Sequence, residues 1–158
     1  MRTYRQLLRK IRQEIRSSGL LPQEGIIAIQ DDGSSLAQIL EATARDAVTN
    51  PHVEVIRAPE NKSRFALFMV PASAEDFANS FLNGILRAEQ AQQNQENLIY
   101  PLANLRNEEI AVLAQHHGIE FDFCDPLGLL EEMEEFAPGT THAAAKSART
   151  LRNMKKGN

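Results

Sequence analysis

Gly25–Ala44, GIIAIQDDGSSLAQILEATA, joins a short apolar run, Ile26-Ile27-Ala28-Ile29, to a polar turn, Gln30-Asp31-Asp32-Gly33-Ser34-Ser35. Beyond the turn, Leu36, Ile39, Leu40 and Thr43 recur at helical spacing. The pattern predicts strand, tight turn and helix, the opening unit of a Rossmann-like α/β fold. In such a unit the backbone N–H groups of the turn and the positive end of the helix point above the strand, where they suit a phosphate. Here two carboxylates, Asp31 and Asp32, stand where that cradle calls for glycines.

The same alternation of elements extends on both sides of this stretch. Residues 3–17 set Tyr4, Leu7, Leu8, Ile11 and Ile15 on one helical face and arginines on the other. After Asn50-Pro51, residues His52–Ile56 and Phe65–Val70 read as buried strands, with a turn at Pro59–Lys62 between them. Ser73 is placed to cap a helix with Glu75 and Asp76 in its first turn. Gln90–Asn97 reads as a Gln/Asn-rich loop and Leu98–Leu102 as a short extended segment. Asn107–His117 is expected to be a helix capped by Asn107 and closed by Gly118, and Ile119–Phe123 a last edge strand. Two helices follow, at about Pro126–Phe136 and Thr140–Lys155. The organisation expected is one α/β domain over 1–158: a basic N-terminal helix (1–18), an α/β core (20–125) and C-terminal helices (126–158). The core is a three-layer, doubly wound unit with a mostly parallel sheet of about four or five strands.

With 158 residues, 42% of them apolar and 24% charged, the chain can bury a core without covalent staples. No apolar run approaches the roughly 18 residues of a membrane span, and the N-terminus lacks a secretory signal's apolar core, so a cytoplasmic location is expected. The single cysteine, Cys124, fits a reducing compartment. The net charge of −4 hides an asymmetry: six of 17 basic residues (Arg2, Arg5, Arg9, Lys10, Arg12, Arg16) fall in Met1–Arg16 and five in Lys146–Asn158. Nine of 21 acidic residues lie between Glu108 and Glu135. Terminal helices packed together would present one basic face on an acidic body.

The order of segments resembles the PP-loop ATPases of the adenine nucleotide alpha hydrolase-like superfamily, most of all the branch that thiolates tRNA. The family's SGGxDS loop aligns with Gln30, Asp31, Asp32, Gly33, Ser34 and Ser35, of which only the final serine matches. The family's DD motif opening a helix is mirrored by Glu75-Asp76 within Ser73–Leu82, and its preceding Gly-His is Val70-Pro71 here. Tyr100-Pro101-Leu102, Leu105–Ile110 and Gly118-Ile119 are similar to the family's "PL…L…EI…GI" segment. Glu134–Thr140 resembles its "LE…PGT" ending, and Cys124 falls where the thiolases carry a catalytic cysteine. The resemblance runs from about Leu20 to Met154. The family's zinc module and central cysteines have no counterpart here, and about one strand–helix unit is missing between the first two motifs.

What the resemblance implies is ATP and magnesium at Gln30–Ser35 and Asp76, adenylation of tRNA, and sulfur transfer through Cys124. The residues argue against part of this. Two carboxylates about 4 Å from a phosphate each oppose it by roughly 1 kcal/mol in water, whereas the helix end offsets about 0.3–1 kcal/mol per charge. Three readings of the turn follow: a ligand-free turn with Ser34 or Ser35 as helix cap; a magnesium bridge in which Asp31, Asp32, Glu75 and Asp76 converge as oxygen ligands; and a remnant pocket for a less phosphorylated adenine ligand. Cys124 as a nucleophile wants a lowered pKa and a second thiol, yet Asp122 and Asp125 flank it. His116 and His117 diverge by about 100° on a helix and do not share a metal; a place on the surface near the helix C-terminus is expected of them. His52 and His142 lack a ligand partner in sequence, and no metal site is expected.

The expected function is therefore a degenerate, non-catalytic PP-loop-like protein, a pseudoenzyme that binds RNA or protein in connection with tRNA modification. The eleven charges of the terminal helices would track an RNA backbone. The alternatives for those helices are a solvated face, ion pairs to Glu131–Glu135, or a homodimer or heteromer. The alternative for the chain is an active ATP pyrophosphatase-type tRNA sulfurtransferase or nucleotide alpha hydrolase.

Overall fold

Ile27, Ala28 and Ile29 are fully buried although their side chains alternate between the two faces of one strand, β1 (Gly25–Gln30). An apolar run without alternation is what a parallel sheet covered on both faces requires. The computed structural model describes residues 2–79, 96–122, 135 and 137–156, without the side chains of 148, 149 and 151–156. Its elements run α1 (Tyr4–Ser17), β1, α2 (Ser35–Ala47), β2 (Val53–Ala58), β3 (Leu67–Met69), α3 (described from 74 to 79), β4 (Leu98–Ile99), α4 (Asn107–His117) and α5 (Thr140–Lys156).

The four strands lie in the order β2-β1-β3-β4, every neighbouring pair parallel. β1 faces β2 in register from Gly25↔Val53 to Gln30↔Ala58, and β3 from Ile27↔Leu67 to Ile29↔Met69. From β1 the chain steps outward to β2, then returns to β3 on the other side and continues to β4. A right-handed crossover puts α2 on one face of the sheet, in the same apolar cluster as α1 and α4. The doubly wound order puts the topological switch point between the carboxyl ends of β1 and β3, above Gln30 and Met69.

Each face has its own apolar cluster. On the first, Ile27, Ile29, Leu67 and Met69 pack under Leu7, Ile11 and Ile15 of α1, Ile39 and Leu40 of α2, and Ile110 and Leu113 of α4. On the second, Ala28, Ala58, Phe65 and Phe68 gather, with the two phenyl rings stacked at 6.3 Å. A third cluster joins Ala74, Phe77 and Ala78 of α3 to Ala144 and Ala145 of α5, with Phe77 edge-on to Tyr100 at 4.9 Å. A fully buried Leu or Ile contributes about 1.5–3 kcal/mol, so the stripe of α1 makes this helix part of the core.

Two expectations are corrected. Residues 119–122 form no strand: Gly118, left-handed at φ +66, turns the chain out of α4, and Ile119 N–H bonds back to Ala114 O at 2.9 Å. Ile119 and Phe121 lean on the first-face cluster without a ladder. The N-cap of α4 is Arg106 instead of Asn107, because Glu109 Oε2 accepts from Arg106 N–H at 3.1 Å while Glu75 Oε2 takes Asn107 N–H at 3.1 Å. Of the helix expected at Pro126–Phe136, only residue 135 is described. Among the described residues no helix is long and apolar enough to cross a membrane.

Candidate functional site

The turn after β1 is held by its own side chains. Asp31 N–H extends the sheet by one bond, to Ala58 O at 2.9 Å. Its carboxylate Oδ1 then accepts from Gly33 N–H at 3.3 Å, which is reached because Gly33 takes φ +77, a conformation that favours glycine. Asp32 Oδ1 accepts from Ser34 N–H at 2.9 Å and from the Ser34 hydroxyl. Ser34 Oγ accepts in turn from Ala37 N–H at 3.1 Å and is the N-cap of α2. Ser35 is the first residue of that helix, and Gln30 the last of the strand. The carboxylates of Asp31 and Asp32 thus take up N–H groups of the turn that a phosphate cradle would use.

Beside the turn stands Arg57, a residue the sequence reading did not single out. Its guanidinium lies 3.7 Å from Asp31 Oδ1 and donates to Glu41 Oε2 at 2.8 Å. Glu41 also receives Arg45 at 2.8 Å, and Arg45 reaches Val55 O at 3.2 Å. Arg57 is the register partner of Ile29, so any long side chain there arrives next to the turn. The signal that finds it is the parallel pairing of β1 with β2, which no local motif reveals.

Asp76 is engaged differently. Its Oδ2 accepts from Ser73 N–H at 2.7 Å and from the Ser73 hydroxyl at 2.9 Å, while Ser73 Oγ accepts from Asp76 N–H at 3.1 Å. This is a reciprocal capping box at the start of α3. Its neighbour Glu75 holds the first turn of α4 through Asn107 N–H and lies 3.7 Å from Arg106 Nε; burial pushes its carboxyl above the usual range. Asp31, Asp32, Glu75 and Asp76 are each drawn to a different local donor, and a guanidinium sits by two of them. That donor set does not fit a shared magnesium ion. Among the described residues no group of three or more His, Cys, Asp or Glu side chains is arranged to hold a metal. Cys124 and Glu131–Glu134 lie outside the described residues.

The basic residues of α1 divide into two sets. Arg2 pairs with Glu109, Lys10 Nζ donates to Asn104 O at 3.0 Å, and Arg12 donates to Ala47 O at 3.2 Å and Asp46 O at 3.1 Å, finishing the last turn of α2. Arg5, Arg9 and Arg16 are exposed and make no ion pair among the described residues. Together with Arg12 they line a groove along the helix. α1 packs against α2 and α4, whereas Ala144 and Ala145 of α5 pack in the α3 cluster.

At the opposite end of α4, Tyr4 OH donates to Asp46 and lies 3.4 Å from His117 Nε2, and the His116 ring stacks on Tyr4 at 3.5 Å. The two imidazoles meet edge-to-face at 5.1 Å and both touch Tyr4, so the adjacent pair converges on that ring instead of diverging; His116 is exposed, as expected near the helix C-terminus, and His117 is half-buried. Burial lowers the pKa of His117 and, first among several causes, raises that of Tyr4.

No protein-family model matches the chain, and no curated protein does. Among solved structures it is similar to the U34-tRNA thiolase NcsA from Methanococcus maripaludis, a structure with a 4Fe-4S cluster, at a TM-score of 0.72 and 9% identity. The match covers 93% of this chain and 78% of that one. The fold implied by the sequence resemblance is the fold found.

Proposed function

We propose that this PP-loop-type fold works without adenylation chemistry, as an RNA-binding module in the setting of tRNA modification. The observation that carries the reading is the closure of the β1–α2 turn on itself: Asp31 and Asp32 accept from Gly33 N–H and Ser34 N–H. A phosphate arriving there would have to displace two tethered carboxylates and face their charge. The fold likeness to a tRNA thiolase supports the setting. The competing reading, an adenylating enzyme with Ser35 and Asp76 at the phosphates and Cys124 receiving sulfur, requires Asp76 to leave its capping box with Ser73.

Calorimetric titration of ATP and AMP into the full chain, with and without magnesium, tests this. No heat is expected at millimolar ligand. Micromolar, magnesium-dependent binding followed by AMP formation on tRNA would overturn the proposal. The Asp31→Gly/Asp32→Gly variant, checked for its fold by circular dichroism, is expected to gain nucleotide binding, because the repulsion and the internal acceptors go together.

A further inference from the structure

We infer that the outward stripe of α1 is a docking surface for the phosphodiester backbone of RNA; this rests on the binding-module reading and names its surface. At about 100° per residue, Arg5, Arg9, Arg12 and Arg16 fall at roughly 0°, 40°, 340° and 20°, a band about 60° wide. With a rise of about 1.5 Å per residue, the band is about 16 Å long and carries one guanidinium per turn or better. These four side chains line one groove. The only acid of the helix, Glu14, lies on the far side and accepts from the Asn104 side chain at 2.6 Å. Arg12 alone of the four is engaged, donating to the Ala47 and Asp46 carbonyls, and among the described residues no carboxylate pairs with Arg5, Arg9 or Arg16.

The chemistry of the stripe selects the partner. A membrane is disfavoured because Leu7, Ile11 and Ile15 are already 0–1% exposed in the core, which leaves α1 no apolar face to insert. A protein partner calls for apolar or aromatic anchors at the centre of the contact, and this band offers only the half-buried Leu8. A regular row of planar, always-charged guanidiniums instead matches a chain of evenly spaced phosphates. Tyr4 is engaged with His116 and cannot stack a base, so the contact reads backbone and not sequence.

The test is fluorescence anisotropy of a short labelled single-stranded RNA with the full chain over a series of salt concentrations. Wild type is expected to bind with an affinity that falls steeply as salt rises. Arg5→Gln/Arg9→Gln, at exposed helical positions where Gln is a good helix former, should weaken binding about tenfold and flatten the log–log salt slope by about 1.4. The charge-matched control Lys62→Gln/Arg64→Gln, on the β2–β3 connection, should leave both nearly unchanged. Equal losses in the two variants, an unaltered slope, or no binding by wild type would each overturn the surface. Polyglutamate or duplex DNA displacing the labelled RNA as well as unlabelled RNA does would overturn the assignment to RNA. If ATP proves to bind while stripe-dependent RNA binding holds, the non-adenylating reading fails alone and the surface stands.

Discussion

Ser34 works in both directions at once, donating its hydroxyl to Asp32 and accepting from Ala37 N–H. Ser34→Ala removes the cap of α2 and one acceptor contact of Asp32, and urea unfolding should show a loss of about 1 kcal/mol. A loss near zero would mean that the cap is solvated without cost. His117 offers a second check, through pH. Burial lowers its folded pKa below the usual 6.5, against the raising effect of Asp46 and with the help of His116. Its folded form therefore prefers the neutral ring. The contribution is fully present above pH about 6.5 and is lost as pH falls through the folded pKa. Unfolding midpoints at pH 7.5 and pH 5.5 should differ more for wild type than for His117→Gln; equal differences would remove His117 as the cause. At this scale the sequence was partly legible. Ser73 and Asp76 announce their capping box three residues apart, and a cap at Ser34 or Ser35 was visible beside the helix. Arg57 was not, since its place beside Asp31 depends on the register of a second strand.

The helices were readable because each buries one stripe: Leu7, Ile11 and Ile15 repeat at helical period and all are buried. The strands were harder at their ends. Phe65–Val70 looks like one run, and the strand proper is Leu67–Met69 with Ala66 N–H and Val70 N–H still bonding to Ile26 O and Ile99 O, whereas Ile119–Phe123 alternates like a strand while residues 119–122 merely pack. Alternation reports which side chains are inside; it does not report whether a neighbouring backbone is there to bond. The sheet narrows as a result. β1 pairs with β2 from Gly25↔Val53 to Gln30↔Ala58, with β3 over Ile27–Ile29, and β3 meets β4 only at Phe68↔Leu98 and Met69↔Ile99. Hydrogen exchange should follow that order. The amides of Ile27–Ile29, buried and flanked by strands on both sides, should exchange last, and those of Leu98 and Ile99 first among the strands. Comparable protection at β4 and β1 would contradict the gradient.

Over the whole molecule, the doubly wound order β2-β1-β3-β4 places the closed turn at the switch point and the arginine stripe on a helix of the first face. The alternation of strands and helices was enough to anticipate that architecture, but not the meeting of Asp31, Arg57 and Glu41 on its rim. The turn's two aspartates can also be viewed as ligands that never leave. Each stands two residues from the amide it occupies, so they act at an effective concentration of about millimolar or more. Any free anion must outcompete that local supply before its own affinity counts. On the proposed reading, a cell's changing nucleotide pool goes unnoticed at this turn, because the turn carries its own competitor in its sequence.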